Sequence, residues 1–172
     1  MSIPPQSYYH LSFNPHLDEV EIKTRIPYSI TPSEMEDTTT KRFCMASSVE
    51  NCLNSVSHLF SLLTLYPYLS FNIYTNYSNI IQYYSSEYLH TNKLVFDAYY
   101  TREIWVLEEI KLLKLGELEL HPHHLGKKTP VALFNNSKTL HPSHYRYEFH
   151  DLEYSLTSYR QKAGEKIKSI PT

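Results

Sequence analysis

Apolar and polar positions change period several times along this chain, and each change marks a predicted element. Tyr8 to Phe13 predicts a short strand, closed by the turn signal Asn14-Pro15. Residues 23–41, with Pro27, Pro32 and an acidic, Thr-rich run, predict an irregular surface loop. Phe43 to Ala46 predicts a second short strand. Ser47-Ser48-Val49-Glu50 then reads as a capping box, with Ser47 accepting the Glu50 N–H and the Glu50 side chain answering back. Apolar residues at Val49, Cys52, Leu53, Val56, Phe60 and Leu63 predict one amphipathic helix over about 48–64, which ends before Pro67.

Phe71 to Thr75 predicts a further strand, whereas 76–101 is rich in Tyr, Asn and Ser and shows no readable period. Glu103 to Leu107 and Leu112 to Leu120 predict two more strands. In the second, Leu118 and Leu120 alternate with Glu117 and Glu119, so one face is expected to be buried and the other wet. Val131 to Phe134 predicts another short strand, and 145–169 a polar, tyrosine-rich C-terminal helix. Together these elements predict a single α+β domain over residues 1–172, built on a small mixed or antiparallel sheet. No second domain or long internal repeat is visible.

Composition narrows the chemistry. A chain of 172 residues is long enough to bury about two thirds of its unfolded surface. Three glycines are too few for a P-loop or a GxGxxG turn, which excludes a Gly-rich phosphate cradle. A net charge of −2 argues against a dedicated nucleic-acid binder, with Lys127-Lys128 and 160–168 as local basic exceptions. Cys44 and Cys52 sit in apolar contexts and are expected to be reduced core thiols. The opening residues show no charged region leading into an apolar stretch, so no signal peptide is expected. The longest apolar region, about 59–71, is too short and interrupted to span a membrane, and a cytoplasmic location is expected.

Three short motifs carry a resemblance. Tyr9-His10-Leu11-Ser12 resembles the first motif of the ADP-ribosyltransferase fold, in which a strand His contacts NAD. Phe43-Cys-Met-Ala-Ser-Ser-Val-Glu-Asn-Cys-Leu53 resembles the second, a strand running into a helix with small residues at the junction. Glu103-Ile-Trp-Val-Leu-Glu108 is similar to the third, where a catalytic Glu precedes a hydrophobic strand. The order of the motifs also resembles a group of small phage-type proteins. The likeness spans about 8–120 and leaves 121–172 as a His-rich segment and C-terminal helix.

The resemblance implies transfer of ADP-ribose from NAD to an unknown macromolecular acceptor, a host protein or a nucleic acid. Glu103 would stabilise the positive charge that develops on the nicotinamide ribose. His10 would contact the adenosine ribose, since a neutral imidazole both donates and accepts. Ser12 and Ser48 would add hydroxyls, and Phe43 or Cys44 would occupy the position where the family often carries an aromatic against nicotinamide. Leu11 stands where the family often has a small residue. Each residue also has a plain structural role open to it. His10 can be a hydrogen-bonded core histidine, Glu103 a solvated strand end, and Ser47 and Ser48 helix caps.

Two further expectations come from elsewhere in the chain. Leu120-His-Pro-His-His124 and Leu140-His-Pro-Ser-His144 repeat a pattern and place His121, His124, His141 and His144 at H-x2-H-x16-H-x2-H, close to the spacing of zinc knuckles. Imidazole suits zinc or another divalent metal, although thiolates are absent and each Pro also suits a simple turn. The same segment weakly resembles the HNH nucleases, with His124 as base and His144 as ligand. His123 with Tyr159 and Lys162 is likewise similar to rolling-circle nucleases. The tyrosine-rich stretch from Tyr74 to Tyr100 suits a third class, a non-catalytic protein that binds or inhibits a partner.

Overall fold

A computed structural model of the chain describes residues 7–27, 37–56, 58–95, 97–130 and 145–155. The strands are β1 (Tyr9–Ser12), β2 (Glu21–Ile22), β3 (Phe43–Ala46), β4 (Leu69–Asn76), β5 (Tyr83–Tyr84), β6 (Glu103–Val106), β7 (Ile110–Leu120), β8 (Leu125–Pro130), β9 (Tyr145–Phe149) and β10 (Tyr154–Ser155). The helices are α1 (Val49–Asn54), α2 (Leu59–Leu65), α3 (Ser86–Thr91) and α4 (Ala98–Thr101). The main sheet runs β10-β7-β4-β1-β3-β6-β5, with β2 also paired to β7, while β8 and β9 form a separate ribbon. Every pairing between these strands is antiparallel. The fold is therefore α+β, as the mixture of elements in the sequence predicts.

A single irregularity in β7 lets this sheet bury apolar side chains on both faces. Opposite β4 the register steps from Ile73↔Gly116 to Tyr74↔Lys114, so Leu115 is an extra residue in β7. Because side chains alternate with period two, one extra residue exchanges the faces of everything beyond it. Leu118 and Leu120 thus pack with Phe71, Ile73, Val49, Leu53, Leu59 and Leu63 beneath the helices. Ile110 and Leu112 pack on the other side with Tyr8, Met45, Tyr74, Ile104 and Val106. A third cluster forms where α3 and α4 cover β6, around Trp105, Leu89, Val95 and Ala98.

Strand β3 lies as predicted, and β1, β4, β6 and β7 differ from expectation only in their ends. The helix at 48–64 does not exist as one piece. It breaks between Asn54 and Leu59, and His58 turns the chain in the left-handed region at φ 58°. Small polar side chains cause the break. Asn54 Nδ2 takes the Glu50 carbonyl and Ser55 Oγ the Asn51 carbonyl, while the last backbone bonds tighten to i, i+3. The restart changes the apolar face, so that Leu59 is buried and Phe60 is exposed. The cap also shifts by one residue, from Ser47 to Ser48. Ser48 Oγ accepts the Asn51 N–H at 3.1 Å, and Ser47 Oγ accepts Asn51 Nδ2.

The expected C-terminal helix is corrected as well. Residues 145–149 and 154–155 are strands, consistent with the strict alternation Tyr-Arg-Tyr-Glu-Phe, whose Tyr145, Tyr147 and Phe149 are half-buried while Arg146 and Glu148 are exposed. The predicted strand 131–134 and residues 156–169 lie outside the described residues. No described helix is long and apolar enough to cross a membrane.

Leu53→Ala should cost about 2–5 kcal/mol, because the side chain is fully buried in the larger cluster. Leu65→Ala, 74 % exposed at the end of α2, should stay within about 0.5 kcal/mol. Urea denaturation of both variants checks the pair, and equal losses would mean that the outer face of α2 is packed.

Candidate functional site

The centre of the sheet contains a parting. Strand β1 pairs with β4 at four positions, Tyr9↔Thr75 through Ser12↔Asn72, but with β3 at one alone, Tyr9↔Ala46. Strand β3 instead stays with β6 along its whole length, from Phe43↔Val106 to Ala46↔Glu103. Backbone carbonyls at such a parting lose their ladder partners and need other donors. Two side chains supply them. His10 Nδ1 bonds the Cys44 carbonyl at 3.0 Å, and Cys52 Sγ donates to the Tyr9 carbonyl at 3.1 Å.

These bonds define the state of His10. Burial pushes its pKa from 6.5 down to about 4; the bond to Cys44 opposes this fall and the charge of Arg25 adds to it. The ring is therefore neutral near pH 7. A carbonyl accepts only from a donor, so Nδ1 carries the proton and Nε2 is left as an acceptor. The Phe43 ring lies 4.5 Å from the His10 ring and limits its rotation.

Glu103 stands on the opposite wall, at the start of β6. Its Oε1 accepts Trp105 Nε1–H at 2.8 Å. Trp105 is fully buried, and the Arg42 guanidinium lies 3.7 Å over its ring. Arg42 is itself buried and donates from Nη1 to the Asp37 and Thr40 carbonyls, both at 3.0 Å. The carboxylate is thus aimed by an indole that is itself clamped. Burial pushes the Cys44 thiol well up, reinforced by the charge of Glu103, and burial raises Cys52 to about 12. Neither sulfur is a thiolate at neutral pH, so neither acts as a nucleophile there.

His10, Leu11, Cys44, Met45, Ala46, Cys52, Ser55, Val56 and Glu103 line one cleft of about 180 Å³ at this parting. Three residues singled out in the sequence therefore come together: His10, Cys44 and Glu103. Phe43 touches His10 but does not line the cleft. Ser12 accepts the Asn14 N–H in a turn, and Ser48 caps α1, so both hydroxyls serve local structure. Cys52 and Trp105 complete the site although nothing in the sequence alone assigned them a role there. Glu108, in the third motif, accepts the Ile81 and Gln82 N–H groups and holds the loop before β5.

The histidine segment is only partly described. His124 Nδ1 accepts the His121 N–H at 3.0 Å, and His121 Nε2 meets Glu119 Oε1 at 2.6 Å. These contacts close a short 3-10 turn, Pro122–His124, behind β7. Burial, then the neighbouring His123 and His121, lower the His124 pKa. His141 and His144 lie outside the described residues. Among the described residues no three His, Cys, Asp or Glu side chains are grouped to hold a metal ion.

No protein-family model, no curated protein and no solved structure matches the chain.

NMR titration should place the His10 midpoint near pH 4, with the nitrogen shifts of an Nδ1–H tautomer. Its contribution to stability should be complete above about pH 6.5 and fall as the pH drops toward 4, because the unfolded ring takes up its proton first. A midpoint near 6.5 would mean a solvated ring rather than a buried one.

Proposed function

We propose that the chain is an ADP-ribosyltransferase-like protein whose β1–β3 cleft binds NAD and transfers its ADP-ribose to a macromolecular acceptor. The supporting observation is that the first and third motifs, far apart in sequence, put His10 and Glu103 on one cleft beside Cys44 of the second. The surfaces of that cleft suit a sugar joined to a flat ring. Leu11, Met45 and Val56 are apolar, His10 Nε2 is an acceptor for a hydroxyl, and Glu103 is an anion held in place by Trp105. Its volume is below the roughly 300–1,000 Å³ of sites that enclose a whole small molecule. The cleft would take the ribose and ring of one half, with the remainder of NAD on the surface outside.

Within that arrangement His10 orients and Glu103 acts on charge. The neutral imidazole would accept a ribose hydroxyl without placing a second positive charge near the reacting sugar. NAD supplies a glycosidic bond whose cleavage leaves neutral nicotinamide and positive charge on the sugar. Glu103, held by the Trp105 indole, would stabilise that charge in the transition state more than in the bound ground state. The acceptor contributes the nucleophile and loses a proton.

A second class of function has an observation of its own. Tyr77, Ile81, Tyr88 and Tyr99 are all exposed on the segment between β4 and β6, Ile81 by 80 %. Such a surface suits a protein partner and would serve a non-catalytic binder equally well.

Incubation with NAD, with nicotinamide release followed by chromatography, tests the enzymatic proposal. Glu103→Gln should keep NAD binding and lose about 100- to 1,000-fold in rate. An unchanged rate in Glu103→Gln would remove Glu103 from the chemistry. NAD binding without any turnover in the unaltered protein would favour the non-catalytic alternative.

A further inference from the structure

A second hollow lies between the α1–α2 turn and the β8–β9 ribbon and shares only Val56 with the cleft. Phe60, Tyr147, Tyr145, Lys128 and His58 line it. The Phe60 and Tyr147 rings are parallel within 5°, with centroids 6.4 Å apart, so a flat ligand laid against either ring is also parallel to the other. Phe60 is 53 % exposed although aromatic, and its side chain faces away from the core that Leu59 and Leu63 enter.

The walls of this hollow are held from below. Asn54 accepts the Tyr147 N–H at 2.8 Å and donates to the Tyr147 carbonyl at 3.2 Å, acting as a strand partner for β9. Those two bonds recruit the same Asn54 whose position marks the break in the helix. Phe60 lies two residues after the left-handed turn at His58. The rings are therefore preorganised, which lowers the ordering cost of a ligand that stacks on them.

Among the described residues, the hollow also carries a cation without a paired carboxylate. Lys128 Nζ lies 3.8 Å from the Tyr145 ring centroid and 5.7 Å from that of Phe60. No Asp or Glu lines the hollow, and no carboxylate pairs with Lys128 among the described residues. The ammonium lies over both the Tyr145 and the Phe60 rings, so a flat ring that stacks at this surface brings an attached anion within reach of Lys128.

We infer that this hollow is a nucleotide-binding site: a base stacks on Phe60 and Tyr147, and Lys128 contacts its phosphate. The inference stands apart from the reading of the β1–β3 cleft and would survive its failure. A free mononucleotide and a nucleotide within a single-stranded nucleic acid present the same base and phosphate, and both are probed.

The experiment is saturation-transfer NMR with AMP, adenosine and a short oligodeoxyadenylate on the full chain. Its variants are Phe60→Ala, Lys128→Gln and His10→Ala, the first two at exposed positions that leave the core intact. AMP should bind more tightly than adenosine. Phe60→Ala should weaken binding about tenfold or more, the usual effect of losing one stacking partner. Lys128→Gln should bring AMP down to the level of adenosine, and His10→Ala should change nothing. Binding of AMP would assign the site to free nucleotides; binding of the oligonucleotide alone, with the same loss in the Phe60 and Lys128 variants, would assign it to single strands. The inference is overturned if neither binds at millimolar concentration, if Phe60→Ala and Lys128→Gln bind as the unaltered chain does, or if His10→Ala removes binding.

Discussion

The hydrogen bond from His10 to the Cys44 carbonyl is the interaction on which the candidate site depends. An antiparallel sheet closes on itself unless something satisfies the backbone groups that closure would pair. Here an imidazole does so for Cys44 and a thiol does so for Tyr9, so β1 and β3 share one pair and then part. The parting is thus bonded rather than merely open. The same bond sets the tautomer of the neutral His10 ring and leaves the acceptor nitrogen that a ligand hydroxyl requires.

Both halves of the sheet are built to hold that parting. On one side, β1 is fixed to β4 by its full register and by Thr75 and Asn76, whose side chains bond the Tyr8 carbonyl and N–H at 2.9 and 2.8 Å. On the other, β3 is fixed to β6, and the stack of Arg42 on Trp105 fixes Glu103 from beneath. The extra residue at Leu115 lets β7 serve the cores on both faces, and one of these joins Tyr8 and Tyr74 on one side of the parting to Met45, Ile104 and Val106 on the other. Walls braced by one continuous core are what a preorganised charge site requires.

Much of this frame was legible in the residues. The Phe43–Ala46 strand, the alternation of Leu118 and Leu120 with Glu117 and Glu119, and the α+β class all follow from local periodicity, and all are present. The failures share a physical cause. At Asn54 and Ser55, side-chain bonds to backbone compete with helix propagation, which an apolar stripe does not register, so one helix became two. At 145–149 a polar, tyrosine-rich composition suggested a helix while the period-two pattern indicated a strand, and the pattern was the better guide. In the site, His10, Cys44 and Glu103 stood out as polar groups within apolar strands. Cys52 and Trp105 did not, because their roles arise from a strand pairing that no local pattern encodes. The serines were ambiguous for the opposite reason: their chemistry suits a ligand and a cap equally, and the caps claim them.

The most direct test of the account is to map NAD onto the isotopically labelled chain by amide chemical-shift perturbation. The account predicts shifts concentrated on Leu11, Cys44, Met45 and Ala46, together with His10 and Glu103 on the two walls. An absence of shifts at millimolar NAD, or shifts confined to Phe60, Lys128 and Tyr147, would contradict the claim that the parting of β1 and β3 is the NAD site.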